Sequence, residues 1–304
     1  SAAAILSFVL VSLTVPLLFI ESWFSGRTRR QTTNTAWKPR DVLRLGRWRW
    51  LAFAGISLVA LLSLGFPLGV LSALTLQGAF FPTEVDRIWS VGGESVWQYG
   101  LNSGWLAALA ATLATILAFI PTYLAARFPR SWTQTLLALC KTPYALPGLI
   151  VGLGFVMVLN QWLPLIYGTV LALIIGFSFR LMPQAIATGE TALRAVPPSL
   201  EQAARSMGRR SFQAFREITL PMAAPGVLAS WTLTFITAMK ELPTALLLRP
   251  PGFDTLPVRI WSAATESVYT QAAPPALLLV FLTMLPMAII YSSNRFGLER
   301  ALHD

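Results

Sequence analysis

Apolar residues fall along this chain in long runs separated by short polar stretches. Seven runs reach or approach the ~20 residues that cross a hydrocarbon core. They cover about 2–24, 50–74, 102–125, 135–159, 165–187, 226–248 and 276–291. The pattern predicts an all-α polytopic transmembrane helical bundle of about seven spans. The ~10-residue alternating segments of a transmembrane β-barrel are not seen.

One stretch does not fit a bilayer. Residues 197–225 read PPSLEQAARSMGRRSFQAFREITLPMAAP. Pro197-Pro198 ends the preceding helix, because proline lacks a donor and crowds the previous turn. Ser199 with Gln202 three positions on fits a capping box. Leu200, Ala203, Ala204 and Met207 follow helical spacing and predict one apolar face. Glu201 and Arg205 form an i,i+4 pair on another face. Gly208 is the expected C-terminal breaker. Ser211 starts a second helix, with Phe212, Phe215 and Thr219 on one side, and Pro221 stops it. Two readings fit this helix–turn–helix: an amphipathic element lying on headgroups, or a knob for a cytoplasmic partner.

Charge sets the orientation. The chain is 12% charged with net charge +10, well below the ~25% of a soluble domain. Arg27, Arg29, Arg30, Lys38, Arg40, Arg44, Arg47 and Arg49 crowd between the first two runs against Asp41. By the positive-inside bias this loop is cytoplasmic rather than a nucleic-acid patch. Arg127, Arg130, the 197–225 stretch, Arg295 and Arg300 then fall on the same side. Glu84, Asp86, Glu94, Asp254 and Glu266 fall on the other.

Composition also removes chemistries. Cys140 is the one cysteine and His303 the one histidine. Neither an internal disulfide nor a cysteine cluster for metal is possible. The three lysines follow Trp37, Cys140 and Met239, so the Gly-Lys-[Ser/Thr] of a phosphate-binding loop is missing. The glycines Gly148, Gly152 and Gly154 follow no strand. They point to close helix packing rather than a dinucleotide site.

Glu201, Ala203, Ala204, Gly208, Ile218, Leu220 and Pro221 together resemble the EAA signature of importer-type ABC permeases, with Gln202 where the usual pattern has alanine. The resemblance covers about 100–291. It implies a type I importer permease fold and makes Glu201, Gln202, Ala203, Ala204, Gly208, Ile218, Leu220 and Pro221 the ATPase-coupling residues. It further implies a cytoplasmic ABC ATPase dimer as partner. ATP and magnesium would be held there, with no cofactor and no firm metal site on this chain. A periplasmic substrate-binding protein and a bacterial inner-membrane location, multi-pass, are implied as well.

Residues 240–250, KELPTALLLRP, with Gly252, Phe253, Thr255, Leu256 and Trp261, resemble the ferric-iron group of these permeases. That group is commonly duplicated, with two permease halves in one chain. The chain opens SAAAILSFVL, without methionine or a basic n-region. The expected layout is therefore a last upstream span at 1–24 and a basic cytoplasmic linker at 25–49. A six-span permease unit follows at 50–304, with its core at 100–291 and its coupling loop at 188–223. The second half would be the same chain upstream or a homodimer copy.

Lys240, Glu241 and Pro243 are expected on the translocation path or gate. Charged side chains inside a span face protein or water, and a structural ion pair with Arg180 is the competing reading. Arg249, Asp254 and Glu266 are expected at the binding-protein docking surface. Thiamine, a polyamine or an oxyanion remain alternative cargoes. An ion-coupled secondary transporter is the alternative of another class, with only Lys240 and Glu241 to support it.

Overall fold

The computed structural model describes residues 46–85 and 95–303. The expected first span at 2–24, almost all of the basic linker, and Asp86 and Glu94 lie outside the described residues. Within them, all regular structure is helical.

Helix α1 (Trp48–Phe80) contains a π turn at Leu61–Gly65. Helix α2 (Val96–Arg127) is followed by α3 (Ser131–Lys141) and α4 (Gly148–Trp162). Helix α5 is Val170–Arg194 and the short α6 is Pro198–Ser206. Helix α7 (Ser211–Met239) carries a π turn at Phe215–Thr219. The short α8 (Pro243–Leu248), α9 (Leu256–Thr265) and the long α10 (Tyr269–His303) complete the chain.

Five of these helices are long and apolar enough to cross a membrane. The fourth apolar run, expected to be one span, is broken. Helices α3 and α4 meet at 103° across a 3-10 turn, Thr142–Tyr144, and would make a sixth crossing only if taken together. Pro143 and Pro147 account for the break, since each removes a ladder donor within five residues. The start of α3 is fixed by Thr133, whose hydroxyl accepts the Arg130 N–H at 3.0 Å.

The face that α2 gives to the core is built largely from small residues. Ala107, Ala110, Ala111, Ala114 and Ala118 form a stripe on α2, each no more than 2% exposed, and it faces α5. In a membrane the hydrophobic effect does not drive helices together, so close approach and dispersion must do so. Gly226 of α7 takes this furthest. A Cβ there would stand 2.4 Å from the Ala192 Cβ and 3.1 Å from its Cα. Gly148 and Gly152 of α4 pack in the same way against α8, at 3.1 Å from the Pro243 Cβ and 2.9 Å from the Leu247 Cδ1, whereas Gly154 faces open space. Helix α1 rests on α10 and leaves the rest of its apolar surface uncovered.

Two sequence expectations about α7 need correction. Pro221 does not stop the second loop helix, which runs on into the span as one helix of 29 residues. The π turn before Pro221 widens the helix where that proline has no N–H to give. At the other end the span does not reach residue 248. It stops at Met239, and Lys240 and Glu241 lie in a non-helical break before Pro243 reopens the helix as α8.

Candidate coupling loop and paired helix break

The polar stretch folds as expected into two helices with a sharp turn. Gly208 has φ +88°, the left-handed region. The Gly208 N–H donates to Arg205 O at 3.1 Å and the Arg209 N–H to Ala204 O at 3.1 Å. These two bonds make a Schellman motif, which satisfies the last carbonyls of α6. A Cβ at 208 would touch nothing within 4 Å, so the demand for glycine is one of backbone conformation alone. A left-handed residue with a Cβ costs about 1–2 kcal/mol. Gly208→Ala is therefore expected to lower hydrogen-exchange protection of the amides at 208 and 209 about 5- to 30-fold. Exchange mass spectrometry reads this directly.

The start of α6 differs from the capping-box expectation. Pro197 takes the N-cap position, Pro198 opens the helix, and Ser199 sits in the first turn without a capping bond. The expected Glu201–Arg205 pair also does not form. Glu201 turns inward instead. Its Oε1 receives the Arg127 Nε at 2.9 Å and the Thr219 hydroxyl, and Tyr123 OH stands 3.5 Å from Oε2. The Arg127 side chain is only 5% exposed, and its Nη1 donates to Val196 O at 2.9 Å. Beside this node Phe119 stacks on Tyr123 at 6.1 Å, and Phe215 meets both edge-on at 5.9 and 5.1 Å. One carboxylate thus joins the end of α2, the α5–α6 connection, the loop helix α6 and the π turn of α7.

The remaining loop residues divide by exposure. Ala204 is buried and Ile218 half-buried. Gln202, Ala203, Leu220 and Pro221 are exposed, as are Leu200 and Met207 of the expected apolar face. So of the expected apolar face only Ala204 is spent on the bundle. Gln202, Arg205, Ser206, Arg209, Arg210 and Ser211 border an open recess of about 670 Å³. Arg209 reaches Glu217 at 3.3 Å.

A second ionic group, which sequence reasoning missed, buttresses the bent pair. Glu190 of α5 binds Lys141 Nζ at 2.7 Å and Arg194 Nη2 at 2.6 Å. The i,i+4 spacing of Glu190 and Arg194 was visible, but the Lys141 contact depends on the bend after α3.

Lys240, Glu241 and Pro243 lie where two helix breaks meet. A Cβ on Gly148 would stand 3.1 Å from the Pro243 Cβ and 3.3 Å from the Glu241 Oε1. Glu241 Oε1 accepts the Thr244 hydroxyl at 2.7 Å at the start of α8. Arg180 does not pair with Glu241; its Nη1 donates to Pro143 O at 3.0 Å and so fastens the other break. Lys240 is exposed.

Of the expected docking residues, Arg249 and Asp254 form an ion pair with each other. Asn102 Nδ2 donates to Asp254 O at 3.1 Å and Leu256 N–H to the Ser103 hydroxyl at 2.7 Å, which ties this loop to α2. Glu266 is exposed after α9. Among the described residues, no group of three His, Cys, Asp or Glu side chains is arranged to hold a metal ion.

The bundle thus combines a broken span with an inward-tied polar loop turned at Gly208. Residues 118–300 match the family model of the binding-protein-dependent transport system inner membrane component, and the chain belongs to that family. It is 29% identical over 95% of its length to the Fe(3+)-transport system permease protein FbpB 2 of Haemophilus influenzae, and spans 56% of that relative. It is 30% identical over 84% of its length to a probable molybdenum ABC transporter permease protein of Haloferax volcanii, spanning 94% of it. Among solved structures, it resembles a chain of a bacterial ABC transporter involved in import of the polysaccharide alginate. There the TM-score is 0.57 at 15% identity, over 82% of this chain and 96% of that one. The fold is thus that of type I ABC importer permeases, in a multi-pass membrane protein.

Proposed function

We propose that this chain is a permease half of an ATP-driven importer of the bacterial inner membrane, that it moves ferric iron, and that α6 is its coupling helix. The observation that carries the reading is the Glu201 node. It fastens α6 to two membrane helices and leaves Gln202, Ala203, Arg205 and Met207 facing outward for a partner. The partner is a cytoplasmic ABC ATPase dimer, which binds ATP and magnesium. A periplasmic binding protein hands over the cargo at the face bearing α9 and Glu266, and a second permease half completes the path. Basic residues at the α2, α5 and α6 ends support an inside position for that end of the bundle.

Iron is favoured by the 29% identity across nearly the whole chain to a relative named for Fe(3+) transport. The shorter span of that relative covered here also supports a two-half arrangement. The Haloferax relative named for molybdenum supports an oxyanion as the second reading.

The test is uptake by the transporter reconstituted with its ATPase and binding protein in liposomes. Labelled ferric iron should accumulate only with ATP inside the ATPase-accessible compartment, and excess molybdate should not compete. Iron-independent accumulation of molybdate would overturn the iron assignment. Uptake without any ATPase would overturn the importer reading itself.

A further inference from the structure

The break between α7 and α8 separates two charges that the sequence places side by side. Glu241 is taken up by the fold. Its Oε1 accepts the hydroxyl of Thr244 in α8, and it lies against the start of α4. Lys240 is not taken up. Its backbone N–H donates to Thr237 O, its side chain is exposed, and among the described residues its ammonium has no hydrogen-bonding or ionic partner. Arg180, a cation of α5, is anchored to Pro143 O.

Depth makes this unpaired charge informative. Thr244 and Leu248 of α8 press on Gly176, at 3.4 and 2.4 Å from its would-be Cβ. Gly176 lies six residues into α5, about 9 Å along its axis from the end. Lys240 lies on the Pro243 side of Thr244, where α8 meets the start of α4 at Gly148, and with α5 crossing the bilayer it is expected within the ~30 Å hydrocarbon core. An ionised side chain at such depth faces protein or a watery cavity rather than lipid.

We propose that Lys240 is a cargo-contacting cation of the translocation path, and that the cargo passes it as an anion. The group recognised is an oxyanion, either free or bound as a ligand around a metal cation. A bare trivalent cation would meet the free Lys240 ammonium here, while the Glu241 carboxylate, still charged, is held against Thr244 and the start of α4. This rests on the reading that the helix break lines the path. It adds the sign of the charge that the path accepts.

The experiment uses the complete transporter in liposomes, in a Cys140→Ser background with an ATPase lacking accessible cysteines. Lys240→Cys is treated with a cationic or an anionic thiosulfonate reagent. Uptake is then measured for ferric iron presented with an oxyanion ligand, for molybdate, and for putrescine as a cationic cargo. The cationic adduct should keep uptake within about threefold of the parent, and the anionic adduct should lose at least tenfold, with ATP hydrolysis still responding to binding protein.

Loss confined to the iron arm identifies a metal-bound oxyanion, and loss confined to molybdate a free one. Equal uptake with both adducts overturns the charge proposal while leaving the path reading intact. Putrescine uptake that rises with the anionic adduct overturns it too. Failure of either reagent to label the cysteine puts residue 240 in a closed interface and overturns the path reading along with the proposal.

Discussion

Arg127→Glu should abolish ATP-driven uptake, and the exchange Arg127→Glu with Glu201→Arg should restore a substantial part of it. The guanidinium and carboxylate are 5% and 15% exposed and 2.9 Å apart. Removing one partner of a buried ion pair typically costs about 3–5 kcal/mol, because the other charge is left uncompensated. That is enough to free α6 from α2 and from the π turn of α7. The decisive readout is the ratio of cargo moved to ATP hydrolysed. In the single variant hydrolysis should persist while uptake falls at least tenfold. If the exchanged pair stays as inactive as the single variant while the protein remains folded, the ionic tie is not what transmits the stroke. Val196 O and Thr219 would not be reproduced by the exchange, so full recovery is not expected.

The second large effect concerns packing. Gly226→Ala should destabilise the bundle by about 1–3 kcal/mol, the usual cost of forcing a methyl into a close-packed contact. The neighbour it meets is Ala192, whose Cα and Cβ belong to a helix axis and cannot swing aside. Gly154→Ala is the matched control, since its Cβ would face open space. Thermal unfolding of the two variants in the same detergent should separate them by several degrees. Equal midpoints would mean that α5 and α7 can part by an ångström at little cost.

Hydrophobic run length showed most of the fold in advance, because a bilayer imposes a simple length requirement on each crossing. Where the sequence reading failed, proline was usually the reason. Pro143 and Pro147 broke a run that looked continuous, while Pro221 sits in a helix that it was expected to end. Local spacing cannot distinguish these outcomes, because a preceding π turn rescues one proline and nothing rescues the others. The candidate coupling loop was legible in its glycine turn, since φ > 0 is a local demand. Its electrostatics were not. Glu201 and Arg205 have the spacing of a helix pair, yet Glu201 finds Arg127, 74 residues earlier in the chain. A desolvated arginine outcompetes an exposed one for the same carboxylate, and only the folded bundle reveals which arginine is desolvated. Likewise Lys240 and Glu241 read as one charged dipeptide. The helix break gives them different neighbours and so different duties.

The continuity of α7 has a mechanical meaning. One helix begins at Ser211 beside the Gly208 turn and ends at Met239 beside Lys240. At 1.5 Å per residue its 29 residues make a rod of about 43 Å. A tilt of about 10° around the middle of such a rod displaces each tip by roughly 4 Å, in opposite directions. Pulling α6 one way therefore swings the Lys240 break the other way, with no relay of intermediate side chains. On the proposed function, the end bearing the coupling helix and the end proposed to meet cargo would be the two arms of one lever.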